Sequence, residues 1–187
     1  MSQSVLAIAG SLRRGSLNLR LIESAVQCAP PDIDVRVYRD LAALPPLNQD
    51  LEAAAFAAGP VRTLCEQVAS ANGLLIATPE YNHSVPGVLK NAIDWLSRPL
   101  SGGVLVAKPV AVVGASAGRW GTRLAQAALR QALFAAEALI LTGPPLYLAE
   151  AEEAFDAGGR LTHEAARGAL RQLLQLIAAH SRGPRPP

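Results

Sequence analysis

Val5-Leu6-Ala7-Ile8-Ala9-Gly10-Ser11-Leu12-Arg13-Arg14-Gly15-Ser16-Leu17-Asn18 passes from an unbroken apolar run, through a polar turn bounded by glycines, into the start of a helical pattern. A run that is apolar at every position suits a strand covered on both faces. The turn that follows is rich in donors. Ser11, Ser16 and Asn18 stand beside a helix N-terminus, where backbone N–H groups and the helix dipole favour an anion. Arg13 or Arg14 adds a fork of donors matched to phosphate oxygens. The turn reads as a phosphate cradle. Gly10 and Gly15 have the spacing of a nucleotide-binding P-loop, but Ser16 and Leu17 occupy the Lys and Ser/Thr positions. The groups that would hold a γ-phosphate and magnesium are missing, which argues against NTP hydrolysis. The turn also lacks the G-x-G-x-x-G spacing of a dinucleotide fold.

Similar runs recur along the chain. Leu74-Leu75-Ile76-Ala77 ends at Thr78-Pro79, Val110-Ala111-Val112-Val113 ends at Gly114, and Leu139-Ile140-Leu141 forms a further strand. Val35-Arg36-Val37-Tyr38 alternates instead, as an edge strand with one wet face does. Helical stripes lie between the runs. Leu17, Leu21, Ala25 and Cys28 form one; Val61, Leu64, Cys65 and Val68 a second; Val85, Val88, Leu89, Ala92 and Leu96 a third. Residues 122–136 are rich in helix formers. Leu161, Ala165, Leu170, Leu173, Leu174 and Ile177 mark a last helix, with Thr162 as its expected N-cap. Residues 42–60 and 98–109 read as loops. Alternating strands and helices predict an α/β chain, a doubly wound parallel sheet with helices on both faces.

Ligands in such sheets bind beyond the carboxyl ends of the strands. Two more strand ends carry unusual chemistry. Residues 78–87, Thr-Pro-Glu-Tyr-Asn-His-Ser-Val-Pro-Gly, crowd polar groups and an aromatic ring between prolines, ahead of a helix containing Lys90-Asn91-Ala92-Ile93-Asp94-Trp95. A flat heteroaromatic ring with polar edges suits this loop. A rigid turn capped by Ser84 is the simpler alternative. Gly114-Ala115-Ser116-Ala117-Gly118-Arg119-Trp120-Gly121 lets backbone approach a ligand closely.

Composition excludes other classes. With 187 residues the chain predicts one domain, placed over residues 1–181, with a flexible tail over 182–187. Half of the residues are hydrophobic and 17% are charged, enough for one closed core. A net charge of +2 gives no basic stripe for nucleic acid. No apolar run reaches the roughly 18 residues of a membrane span, and no signal peptide is visible. Cys28 and Cys65 form no C-x-x-C pair and read as small buried hydrophobes. His83, His163 and His180 lack metal-ligand spacing, so no metal is expected. No G-x-S-x-G elbow marks a hydrolase. A cytoplasmic location is expected.

Taken together, the three loops resemble the NAD(P)H-dependent FMN reductase family, which includes chromate, quinone and azo reductases. The likeness runs through residues 10–13, Ser16 and Asn18, then 79–84 and 86–95, and ends at 116–118; Asn48-Gln49-Asp50-Leu51-Glu52 resembles the family's second-strand loop. It covers residues 4–180. It implies a flavodoxin-like five-stranded parallel sheet in the order 2-1-3-4-5, with FMN at the crevice between strands one and three. It implies that Ser11, Arg13, Ser16 and Asn18 hold the FMN phosphate. Pro79, Glu80, Tyr81, Asn82 and His83 then line the isoalloxazine ring, and Ser116, Ala117 and Gly118 approach from the other side. It also implies a homodimer or a dimer of dimers. The family usually carries a second small residue, often Gly, near Trp120, where this chain keeps only Gly121; narrowing of the substrate face, stacking on a ring and packing across a dimer are all open roles for Trp120.

The expected activity follows. Hydride passes from NADPH or NADH to the bound FMN, the nicotinamide leaves, and a quinone, azo compound, metal oxyanion or free flavin takes the electrons in a ping-pong cycle. No side-chain nucleophile is needed, because the cofactor carries the chemistry. Two rivals remain: a flavodoxin-type electron carrier and a flavin-free sensor or scaffold. Carriers are usually strongly acidic, which a +2 balance opposes.

Overall fold

A computed structural model describes residues 2–181, so the expected tail lies outside the described residues. Six strands are described: β1 (Gln3–Ala9), β2 (Ile33–Tyr38), β3 (Gly73–Ala77), β4 (Pro109–Ala115), β5 (Leu139–Ile140) and β6 (Tyr147–Leu148). The helices are α1 (Leu17–Cys28), α2 (Glu52–Ala57), α3 (Pro60–Ser70), α4 (Gly87–Leu96), α5 (Arg123–Ala135) and α6 (Glu164–His180). The sheet is parallel, in the order β2-β1-β3-β4-β5, with β6 also pairing with β4.

The all-apolar runs become the central strands because both of their faces are covered. Val5, Ala7 and Ala9 of β1 enter one core with Leu21 and Ile22 of α1 and Leu170, Leu174 and Ile177 of α6. Leu6 and Ile8 enter the other core, with Leu64 of α3, Leu89 and Ile93 of α4, and Leu129 of α5. In β2, Ile33 and Val35 are buried while Asp34 and Arg36 are exposed. That is the one-wet-face pattern of an edge.

Register sets the position of the loops. Ala9 is level with Ala77, and Ala77 with Val113. The connections leaving β1, β3 and β4 therefore emerge along one rim.

Three details differ from the sequence reading. The fifth strand is split: Leu139 and Ile140 pair with the start of β4, and Tyr147 and Leu148 pair with its end. Pro144 and Pro145 lie between, and a residue without an N–H cannot continue a ladder. The irregular stretch 42–60 contains α2, tied down by the Arg98–Glu52 ion pair (2.6 Å) and the edge-on contact of Phe56 with Trp95. The last helix starts later than expected. Leu161 bridges Phe155, and Thr162 Oγ1 donates to Ala154 O, so both are held outside the helix. His163 Nδ1 instead caps α6, accepting from Ala166 N at 3.2 Å.

Both cysteines are free and buried. Burial, and then the charge of Glu66, push the Cys65 thiol up to about 11. Burial also raises Cys28, against the lowering pull of Arg171 and Arg167. The unfolded chain gives up its thiol protons first, near pH 8.5. The stability from neutral Cys65 is therefore complete below that pH and is lost as pH rises toward about 11. Native protein at pH 8 is expected to react with a thiol reagent far more slowly than urea-unfolded protein. Gly114 sits where a Cβ would lie 2.5 Å from Thr78 O and against Thr122 Oγ1. Gly114→Ala is expected to lower stability by about 1–3 kcal/mol, the range for overpacking, read from the denaturant midpoint.

Candidate functional site

The rim carries a cleft of about 200 Å³ between the loops that follow β1, β3 and β4. The first loop contributes Ser11, Arg13, Ser16 and Asn18, the second Pro79, Glu80 and Tyr81, and the third Ser116 and Ala117. Asn82, His83 and Gly118 belong to the same loops but do not line the cleft.

The first loop closes on itself before α1 begins. Ser16 N donates to Arg13 O (3.1 Å), and Ser16 Oγ caps the helix by accepting from Leu19 N (3.2 Å). The first turn of α1 holds no acidic side chain, and the Leu17 and Asn18 amides find no acceptor among the described residues. The Arg13 guanidinium likewise makes no hydrogen bond or ion pair with a described residue. This end of α1 thus presents unspent N–H groups, hydroxyls and a cation together, which is the donor set for an anion.

Asn18 does something else with its side chain. It is 2% exposed. Its Nδ2 donates to Ala115 O and its Oδ1 accepts from Ala115 N, each at 2.9 Å. Only its backbone amide remains for a ligand.

The second loop is a tight hairpin. Tyr81 and Ser84 exchange backbone hydrogen bonds (3.3 and 3.0 Å), so Ser84 serves the hairpin and not α4. Asn82 and His83 take the two corners at φ 50° and 60°. Residues of this kind tolerate such a turn best after glycine. The turn holds Tyr81 half-exposed at the cleft, its hydroxyl 3.3 Å from Ser11 Oγ. It also turns the His83 side chain outward, at 81% exposure. Glu80 points inward to a structural task. Its Oε2 accepts from Leu124 N and Ala125 N (2.9 and 3.0 Å), capping α5. Its Oε1 lies 3.4 Å from His83 Nδ1.

The third loop is anchored from behind. Ser116 N donates to Leu148 O, Ala151 N to Ser116 O, and Glu150 N to Gly118 O. Ser116 Oγ accepts from Gly118 N at 3.0 Å. Trp120 stands outside the cleft at 68% exposure, with the Arg119 guanidinium 4.8 Å over its ring. Leu17 and Ala115 also line the cleft; both stand in loops the sequence singles out, though neither is among the expected site residues, and Glu152 lies outside all three loops. Glu152 carried no local signal, because its loop becomes a neighbour only through the split fifth strand.

A larger hollow of about 380 Å³ lies between α1 and the start of α6 and takes in none of the predicted residues. Arg167 pairs with Glu164 at 2.7 Å, and Asp156 Oδ1 accepts from the Arg160 backbone N–H. Among the described residues no group of His, Cys, Asp and Glu is arranged to hold a metal. No described helix is long and apolar enough to cross a membrane.

Comparison with known proteins gives matches over most of the chain. Residues 3–153 match the family model described as NADPH-dependent FMN reductase. The chain is 44% identical over 177 residues to an NAD(P)H-dependent FMN reductase of Pseudomonas aeruginosa, covering 92% of each. It is 37% identical over 179 residues to a 2-hydroxy-1,4-benzoquinone reductase of a Burkholderia species, covering 96% of each. Among solved structures, the flavoenzyme NAD(P)H:(acceptor) oxidoreductase FerB of Paracoccus denitrificans superposes with a TM-score of 0.84 at 33% identity, over 95% of this chain and 98% of that one.

Asn18→Ala would strip two buried backbone groups of their partners. It is expected to cost about 2–4 kcal/mol of stability, measured by urea denaturation. Glu80→Ala is expected to cost about 1–2 kcal/mol through the lost α5 cap, with slower protection from amide exchange disappearing first at Leu124 and Ala125.

Proposed function

Because the chain belongs to the NADPH-dependent FMN reductase family, we propose that it takes hydride from NADPH or NADH onto FMN held in the rim cleft and delivers the electrons to a small acceptor. The enzyme class and the FMN cofactor come with the family. The residues, the acceptor and the ping-pong order are this proposal.

The observation that carries it is the unspent donor set at the start of α1. A phosphate monoester needs several N–H and O–H donors and no competing carboxylate on the same loop. Ser11, Arg13 and Ser16 supply these, along with the amides of Leu17 and Asn18. The residues present therefore fit the phosphate end of FMN. The cleft also offers walls for a flat ring: Pro79 and Ala117 are small and apolar, and Tyr81 adds an aromatic ring whose hydroxyl meets Ser11 Oγ.

Bound there, FMN supplies the redox chemistry, accepting hydride and passing electrons on. The chain's own residues bind and orient. Arg13 and the α1 amides fix the phosphate. Asn18 and Glu80 are positioning residues, because each spends its side chain holding a loop in place. Ser116 and Ala117 bring backbone close to the ring from the third loop, with Gly118, Asn82 and His83 on the same loops but outside the cleft lining. The open side leaves room for nicotinamide and acceptor in turn, as ping-pong exchange requires.

A quinone is the leading acceptor, in keeping with the quinone reductases among the relatives. Azo compounds, metal oxyanions and free flavin need the same open ring face. Self-association, as a dimer or a dimer of dimers, is supported by the exposure of Trp120, Leu124 and Phe134 (68%, 52% and 76%) around α5. The free thiols of Cys28 and Cys65 suit the reducing cytoplasm.

Steady-state consumption of NAD(P)H with a quinone present tests the activity; a protein that binds FMN but turns over no nicotinamide would be a carrier instead. Arg13→Ala is expected to weaken FMN binding about ten- to a hundredfold, the loss of one charge-assisted contact. An unchanged FMN titration in that variant would remove Arg13 from the phosphate site.

A further inference from the structure

Two carboxylates line the cleft, Glu80 and Glu152. Glu80 is occupied by the α5 amides and His83. Glu152 makes no hydrogen bond or ion pair with any described residue. It nevertheless sits on a fixed turn. Ala151, fully buried, donates its N–H to Ser116 O (3.0 Å), and Glu150 N donates to Gly118 O (3.2 Å). Glu153 N and Ala154 N close the turn on Glu150 O and Ala151 O. The turn is thereby bonded to the third loop and carries the Glu152 side chain on the cleft wall.

A fixed anion facing a site built for an anion needs an account. Glu150 and Glu153 are exposed on the same turn but do not line the cleft, so Glu152 is the one carboxylate of this acidic turn placed there. Among the described residues the one cation lining the same cleft is Arg13, whose guanidinium is otherwise unpaired. A phosphate entering the cradle takes Arg13 for itself and shares the cleft with the Glu152 carboxylate. Like charges in one cleft repel, and water at the rim partly screens them.

We propose that Glu152 is a specificity-determining residue that holds the grip on the flavin phosphate below its maximum, so that FMN is exchangeable and is not locked in place. The inference rests on the phosphate-cradle reading of the first loop. It concerns the phosphate alone, which makes riboflavin the internal control: the same ring and ribityl chain without the charge.

The experiment titrates FMN and riboflavin into the purified, flavin-stripped protein and into its Glu152→Gln and Glu153→Gln variants, with flavin fluorescence as the readout and stopped-flow dilution for the release rate. Glu152 is exposed and makes no bond to lose, so its replacement by Gln leaves the fold intact. Glu152→Gln is expected to bind FMN about three- to tenfold more tightly, chiefly through slower release, as removal of one partly screened charge predicts. Riboflavin affinity is expected to stay unchanged, and Glu153→Gln to behave as wild type. FMN affinity that is unchanged or weaker in Glu152→Gln overturns the inference; so does equal tightening of riboflavin, or an equal effect in Glu153→Gln. If the wild-type protein takes up no FMN at all, the cradle reading falls and carries this inference with it. If it takes up FMN and Glu152→Gln does not differ, this inference alone falls.

Discussion

The two hydrogen bonds between the Asn18 side chain and the Ala115 backbone tie the start of α1 to the end of β4, across 97 residues of sequence. Everything at the rim depends on that link. It sets the first loop beside the third and so gives the cleft its two walls. The choice of side chain follows from the job. Ala115 offers one donor and one acceptor, and a single amide can answer both. An aspartate could accept but not donate. It would also put a negative charge inside the first turn of α1, where the helix dipole is being kept for an incoming anion. A buried neutral amide satisfies the strand end and leaves the field at the helix start intact.

That field gains meaning from the contrast with α5. Both helices begin at the same rim. The α5 start is filled from within the protein, because the Glu80 carboxylate accepts from Leu124 N and Ala125 N. The α1 start has no acidic residue in its first turn and only a serine cap. One helix terminus is thus satisfied internally and the other is left for a ligand. This separates a binding site from ordinary helix capping, which at the level of composition looks the same: hydroxyls, amides and carboxylates near a strand end. The helix starts also explain why Glu80 sits in the cleft without opposing an anion there, since its charge is already compensated by two amides.

Much of this is legible in the amino-acid sequence. The apolar runs of β1, β3 and β4 announce strands buried on both faces, and the alternation of β2 announces an edge, because burial acts on every side chain of a strand individually. The three loops could be placed on one rim, because parallel strands send their carboxyl ends the same way. Side-chain assignments were less legible. Ser11, Arg13, Ser16, Pro79, Glu80, Tyr81, Ser116 and Ala117 do line the cleft. Yet Asn18 and Glu80 turn out to support the site by bonding backbone in other loops, a role visible only once residues far apart in sequence meet. His83 is swung outward by a turn whose corners need positive φ. The late start of α6 and the split fifth strand have the same origin. Local propensity at 161–162 and at 139–148 yields to bonds made with distant backbone, and two prolines cannot carry a ladder.

The cleft's chemistry is that of a holder. No histidine or cysteine lines it; of its two carboxylates, Glu80 is bonded to the α5 amides and Glu152 stands on the turn that backs the third loop. A protein that performed acid–base or nucleophilic chemistry itself would need a titratable group aimed at the reacting atoms. Here the unspent N–H groups of the α1 start and the Arg13 guanidinium share the cleft with proline, alanine and a half-exposed tyrosine whose hydroxyl reaches Ser11 Oγ. Anchoring a ligand at one end and leaving its other end between small apolar walls fixes orientation while keeping one face open. Such a site selects what it holds by the anchor. It selects what approaches the open face only by shape, which favours flat, electron-accepting molecules over any one of them. Trp120 lies outside the cleft, 68% exposed with the Arg119 guanidinium over its ring, so the walls of the cleft itself are set by the three loops and the turn that carries Glu152.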